Sequence, residues 1–296
     1  MNSATIKGLS AGLIAASIWG GMYVVSKIVL DVVPPFTLLT MRLTLGALSL
    51  WVVTRFMPPT TLTKKQIWQS VTIGFLGYGI SLGFQFVGTK LSTASNGALV
   101  TSATPAFILL FAKFFLGEKI SARRLAALTV ASLGVLAVID PRSVDFSSSL
   151  FRGNLALLAA GLTWALYSVL VRKISSAGGL LLSGVFMLLG GLPSSLLLSA
   201  WEMQSQTVGT ISIGIVAGIL YLGIISTAVA MFLWNYSFAV LPAATASLTF
   251  FAQPVVGAVL GALILGEKIT PLFIVGGVMI GIGLVIASTA SSIAHE

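Results

Sequence analysis

The sequence predicts an all-α integral membrane protein of ten transmembrane helices, arranged as two inverted five-helix repeats. Three observations predict it. The chain is too apolar for water: 57% of its 296 residues are hydrophobic and 8% are charged, with mean hydropathy +1.06, against roughly 25% charged residues in soluble domains. Its apolar residues come in runs near the ~20 residues that cross a bilayer. Its second half echoes its first at a nearly constant offset.

The spans follow from the breaks between runs. Span one, near 8–26, closes at Lys27. Span two, 35–54, opens on Pro34-Pro35 and closes at Arg55. Span three, 67–89, lies between Lys64-Lys65 and Lys90. Span four, 94–116, ends at Gly117-Glu118-Lys119. Span five, 122–139, ends at Asp140-Pro141. Spans six and seven, 153–171 and 179–201, flank Arg172-Lys173 and end at Glu202. The 64 residues between Glu202 and Glu267 carry no charge. Two spans, 211–237 and 243–265, fit there around a turn at Ala239-Val240-Leu241-Pro242, because proline favours a helix start over its interior. Span ten is 271–290. The first run is read as a span rather than a secretory leader, since it is nearly spanning length and its Trp19 has a counterpart at Trp164.

Ten spans place both termini on one side. That side receives Lys7, Arg55, Lys64, Lys65, Lys119, Arg123, Arg124, Arg172 and Lys173. The other receives Lys27, Lys90, Arg142, Arg152 and Lys268. The positive-inside rule makes the first side, and both termini, cytoplasmic in an inner (plasma) membrane. The same rule accounts for the net charge of +9. There is no basic stripe with interleaved aromatics, so nucleic acid is not expected as a partner.

The repeat divides the chain into 1–145 and 150–296. At an offset of 149, Leu116-Gly117-Glu118-Lys119-Ile120 falls on Leu265-Gly266-Glu267-Lys268-Ile269, Pro105 on Pro254, Gly74 on Gly223 and Ala94 on Ala243. At 145, Gly8 falls on Gly153, Trp19 on Trp164 and Lys27 on Arg172. An odd number of spans per half makes the second copy insert in the opposite sense. Inverted repeats are a transporter architecture, with the substrate near midplane between the halves.

These features resemble the drug/metabolite transporter superfamily, specifically its EamA-like branch: ten spans, a proline within spans four and nine, and Leu-Gly-Glu closing each of those spans. Within that branch the chain looks most like the YddG-type exporters of amino acids. The resemblance implies a central cavity lined by spans 1, 3, 4, 6, 8 and 9, with spans 5 and 10 peripheral, and transport by alternating access.

Polar side chains at lipid depth tend to face a cavity or a partner helix. Thr245, Thr249 and Gln253 recur at helical spacing in span nine. Their counterparts in span four are Asn96, Val100 and Thr104. Span three places Tyr78, Ser81 and Gln85 on one face, and span eight places Thr227, Met231, Trp234 and Asn235 on another. Trp19 and Trp164 are repeat mates beyond the middle of their spans. The candidate substrate-binding set is therefore Trp19, Arg42, Tyr78, Gln85, Asn96, Thr104, Trp164, Asn235, Thr245, Thr249 and Gln253. Arg42, seven residues into span two, allows two readings: an anchor that snorkels to the interface, or a clamp for a substrate carboxylate. Glu118 and Glu267 read as a hinge or cap at matching corners.

There is no cysteine, and the one histidine is His295. None of the seven acids, Asp31, Glu118, Asp140, Asp145, Glu202, Glu267 and Glu296, lies mid-span. No catalytic group, metal or cofactor is therefore expected, and no enzyme. Nor is there a midplane carboxylate to carry a proton. The expected function is a secondary transporter exporting amino acids or similar zwitterionic or neutral metabolites, without proton coupling. An exporter of drugs, organic cations or nucleoside-like metabolites is the alternative, and a channel is another. The expected partners are a small-molecule substrate and the lipid bilayer, the protein itself being a monomer or homodimer.

Overall fold

A computed structural model describes residues 3–139, 149–174, 179–266 and 271–290. The helices are α1 (Ser3–Leu30), α2 (Pro35–Thr54), α3 (Lys64–Leu91), α4 (Ala94–Val100 continuing through Thr104–Leu116), α5 (Ala122–Ile139), α6 (Ser149–Ile174), α7 (Leu180–Glu202), α8 (Ile213–Val240), α9 (Ala243–Leu265) and α10 (Pro271–Ala290). No strand occurs among the described residues. Eight helices, all except α5 and α10, are long and apolar enough to cross a membrane; those two hold shorter apolar stretches at Leu125–Gly134 and Ile274–Gly283. The outer surface is greasy, with Phe114 73%, Leu197 74% and Leu263 77% exposed, as lipid-facing side chains are.

Four helices depart from α geometry, in matched pairs. α3 is a π-helix over Phe75–Ser81 and α8 over Tyr221–Val229. Residues 75–80 map onto 224–229 at the offset of 149. Just before their prolines, α4 tightens to a 3-10 turn at Thr101–Ala103 and α9 at Ser247–Phe251. Proline removes one backbone donor, and a tighter turn re-pairs the carbonyls left over. α4 and α9 then end identically, on glycines in the left-handed region: Gly117 at φ 66° and Gly266 at φ 68°. Only glycine enters that region without a Cβ penalty.

Backbone ends are satisfied across helices. Lys27 Nζ donates to the carbonyls of Thr89, Lys90 and Ser92 at 3.3, 3.1 and 2.6 Å, closing the C-terminus of α3. Arg172, its mate, donates to those of Phe238 and Ala239 at 3.1 and 2.6 Å, closing α8. Cations at helix C-termini complement the macrodipole. Glu202 Oε2 accepts from Phe36 N and Thr37 N at 3.0 and 3.1 Å, at the start of α2. Glu118 accepts from Ala243 N and Ala244 N at 2.8 and 3.2 Å, at the start of α9. The cap role read for Glu118 thus takes a definite form: it caps another helix, not its own corner. Glu267 lies outside the described residues.

These contacts sort the connections into two ends. One gathers the α1–α2 and α3–α4 turns with the α7–α8 connection, where Gly209 N also donates to Val32 O at 2.8 Å. The other gathers the end of α2, the end of α4, the end of α6 and the α8–α9 turn. α3 and α7 cross in backbone contact between them: a Cβ on Gly74 would stand 1.9 Å from the Met187 carbonyl oxygen.

Candidate functional site

A small cavity of about 30 Å3 lies where α1, α2, α3, α4, α6, α8 and α9 converge. Six of the eleven residues named from sequence line it: Trp19, Arg42, Gln85, Thr104, Trp164 and Gln253. Met22, Tyr23, Ser81, Thr101, Met231 and Phe250 line it as well. None of the described residues of α5 or α10 lines it. α2 does, through Arg42, beyond the helices that the family resemblance implies.

The aromatic side of the cavity is one packed cluster. Trp19 meets Trp164 edge-on at 5.4 Å and leans on Trp234 at 5.3 Å. Edge-to-face rings gain from their quadrupoles beyond burial. Trp19 Nε1 donates to the Ser226 carbonyl at 2.9 Å, which fixes its ring. Trp164 Nε1 is buried and makes no hydrogen bond.

Polar groups close the opposite side. Gln253 Nε2 donates to Thr101 Oγ1 at 2.8 Å and to Ala98 O at 3.3 Å. Thr101 Oγ1 pairs with the Tyr23 hydroxyl at 3.0 Å. Thr104, the repeat mate of Gln253, returns its hydroxyl to the carbonyls of Thr101 and Gly161. Gln85 Nε2 reaches Met22 Sδ at 3.7 Å, a weak acceptor.

Burial removes one of the two readings of Arg42. It is 0% exposed, so it does not snorkel. Nε donates to Thr227 Oγ1 at 2.5 Å and Nη2 to Ser226 Oγ at 3.2 Å; the guanidinium stands 5.4 Å over the Phe86 ring. Nη1 is buried without a hydrogen-bond partner. Thr227 keeps its own donor on the Leu222 carbonyl five residues back, inside the π segment. That segment is what aims Ser226 and Thr227 together at Arg42. Among the described residues, no acidic one lines the cavity. The guanidinium there meets neutral partners and keeps its own Nη1 donor unanswered.

The other five sequence-named residues stand elsewhere. Tyr78 packs behind Trp164 at 6.0 Å and shares its hydroxyl with Tyr167, which in turn donates to Asn235 Oδ1 at 2.9 Å. This buried relay is one layer outside the cavity. Asn96, half-buried, bonds Ser92 and Asn154 near the α3–α4 turn. Thr249 is buried with its hydroxyl on the Ala246 carbonyl, and Thr245 is buried above it. Ser226 carries no signal in the sequence, because its role depends on the π segment.

Comparison with known proteins decides the family. The chain matches the EamA-like transporter family twice, over residues 6–139 and 151–289. It belongs to that family. Among relatives, the chain is 27% identical to a probable amino-acid metabolite efflux pump of Salmonella typhimurium over 93% of this chain and 92% of that one. It is 26% identical to a protein of the same description in Escherichia coli, with the same coverage. The uncharacterized transporter YcxC of Bacillus subtilis is 26% identical, over 93% of this chain and 90% of its own. A protein known from its crystal structure superposes with a TM-score of 0.75 at 20% identity, covering 97% of this chain and 98% of that one. That likeness speaks for the fold alone. This EamA-family chain is thus a multi-pass membrane transporter, with a small cavity, lined by a buried arginine, where seven of its helices converge.

Proposed function

We propose that this protein is a secondary transporter of the inner membrane that exports amino acids or similar small zwitterionic metabolites by alternating access. Its ten helices form two inverted halves, 1–145 and 150–296, with both termini cytoplasmic. The paired π segments, paired 3-10 turns and paired caps by Lys27 and Arg172 support the repeat.

The observation that carries the substrate class is Arg42. A guanidinium at membrane depth with a free Nη1 and, among the described residues, no carboxylate in its cavity suits a substrate carboxylate, which its planar fork would hold by charge-assisted bonds. Trp164 Nε1 offers a second unanswered donor to the same ligand. Gln85 and Gln253 supply amides for the rest of a zwitterion, and Trp19, Trp164 and Phe250 supply apolar contact for varied side chains. Arg42 weighs against organic cations, which it would repel. The efflux direction rests on the description of the two enterobacterial relatives.

A cavity of about 30 Å3 has room for about two waters and sits far below the ~300 Å3 of a ligand pocket. Substrate entry therefore requires the two halves to separate at one end. Glu118 on α9 and Glu202 on α2 are among the contacts that join the halves at the two ends.

Counterflow in liposomes tests this reading. Purified protein in vesicles preloaded with an unlabelled amino acid should accumulate the labelled one saturably. The matching amine, which lacks the carboxylate, should not exchange. Flux that never saturates would instead indicate a channel. With no midplane acid or histidine, an imposed pH gradient should leave exchange unchanged, and uptake driven strictly by that gradient would overturn the uncoupled mechanism.

A further inference from the structure

A second, larger hollow lies away from the central cavity. A groove of about 1090 Å3 runs between the end of α2, the first turn of α7 and the middle of α8. Its walls are mainly apolar, with Leu50, Val53, Val229, Phe232 and Leu233 among them. One cation lines it: Arg55, exposed, with its guanidinium 4.5 Å over the Trp51 ring.

The two ends of the protein differ at this point. At the start of α2, Phe36 N and Thr37 N donate to the Glu202 carboxylate. The repeat offset of 145 carries Phe36 to Leu181 and Thr37 to Leu182, in the first turn of α7. Both line the groove. The same offset carries Glu202 back to Met57, and the only charge in 54–63 is Arg55. α7 also begins on Gly179, which has no side chain to cap it. One helix start therefore carries a built-in anion. Its counterpart shares an apolar trough with a cation, Arg55. A helix N-terminus favours negative charge, and arginine matches phosphate geometry.

We propose that this groove holds an anionic phospholipid, with its phosphate between Arg55 and the first turn of α7 and its acyl chains against α2 and α8. A soluble anion would leave the apolar walls unmatched, and a neutral lipid would leave Arg55 unmatched. The chains would press on Ile224, Ala228 and Val229, which belong to the π segment that holds Arg42. The assignment rests on the repeat correspondence and not on transport, so the binding test stands whether or not amino acids prove to be the substrate.

The test is native mass spectrometry of the detergent-purified full-length protein equilibrated with equal phosphatidylglycerol and phosphatidylcholine of matched chains. The wild type should retain phosphatidylglycerol about tenfold over phosphatidylcholine. Arg55→Ala should lose that preference, and Arg55→Lys should keep part of it. Val53→Trp, which fills the groove without touching the charge, should lower retention of both lipids. Arg55 and Val53 are exposed, and an unchanged thermal midpoint would show that each variant folds. Inorganic phosphate at millimolar levels should not displace the lipid. Equal retention of both lipids by the wild type, an unchanged preference in Arg55→Ala, or displacement by phosphate alone would each overturn the proposal.

Discussion

Replacing Arg42 with methionine should separate transport from folding. The guanidinium makes two side-chain hydrogen bonds, to Thr227 Oγ1 and Ser226 Oγ, and bears a charge that no acid in the cavity answers. Bonds to a charged group contribute about 1.5–3 kcal/mol each, but burying an ion costs several kcal/mol. The two largely cancel. Methionine fills similar volume, Thr227 keeps its bond to the Leu222 carbonyl, and a freed serine hydroxyl can turn back onto its own helix. Arg42→Met should therefore leave the thermal midpoint in detergent nearly unchanged. Binding has no such compensation. Loss of one charge-assisted contact to the substrate carboxylate, about 1.5–3 kcal/mol, raises the half-saturation constant about ten- to hundredfold. Arg42→Lys, which keeps the charge but not the fork, should fall between. The assay is amino-acid counterflow in liposomes beside a thermal melt of the same sample. Counterflow by Arg42→Met at the wild-type half-saturation constant would refute the clamp. A collapsed melt with normal affinity would make Arg42 a structural pin.

Other consequences are structural or local to the site. Gly74→Ala puts a Cβ 1.9 Å from the Met187 carbonyl oxygen, so α3 and α7 must part. The cost is about 1–3 kcal/mol, read as a lowered thermal midpoint, whereas Gly83→Ala, whose Cβ meets only Phe36 Cε1 at 3.3 Å, should lose much less. Glu202→Ala removes the acceptor for two amides at the start of α2 and should cost about 0.5–2 kcal/mol; Glu202→Gln, which keeps an oxygen there, should recover part of the lost midpoint. Trp164→Phe deletes a buried donor that has no partner, so stability should hold or rise slightly while the half-saturation constant for exchange rises severalfold.

The helices were legible because hydropathy and charge mark where a chain can leave lipid. α2, α4, α5, α9 and α10 occupy the residues that the sequence reading gives them, α7 shifts by one residue, α1, α3 and α6 extend further at both ends, and α8 starts two residues later and ends three later. The stripe on α9 was legible only at its deep end. Regular helix spacing puts Thr245, Thr249 and Gln253 on one face, but the chain turns as a 3-10 helix over Ser247–Phe251. Three residues per turn instead of 3.6 adds about 20° per residue, about 100° over that segment. Gln253 thus faces the cavity and Thr245 and Thr249 do not. α4 behaves alike: Thr104 lines the cavity and Asn96, beyond the 3-10 turn, does not. On α3 the π segment leaves Ser81 and Gln85 on the cavity and sets Tyr78 behind it. Arg42 was visible as a charge at depth, but its direction depended on Ser226 and Thr227, which only the π segment of α8 brings to it. Glu202 looked like a span boundary; its carboxylate in fact closes a helix start 165 residues away.

In the proposed arrangement two like halves point oppositely across the bilayer around the cavity. The chain has no cysteine, so single cysteines at repeat-equivalent corners can be introduced without a background. Ile120→Cys and Ile269→Cys, in right-side-out vesicles, should react oppositely with a membrane-impermeant maleimide: position 269 labelled from outside, position 120 only after the membrane is opened. Labelling of both corners from the same face would contradict the inverted arrangement and, with it, alternating access around the cavity.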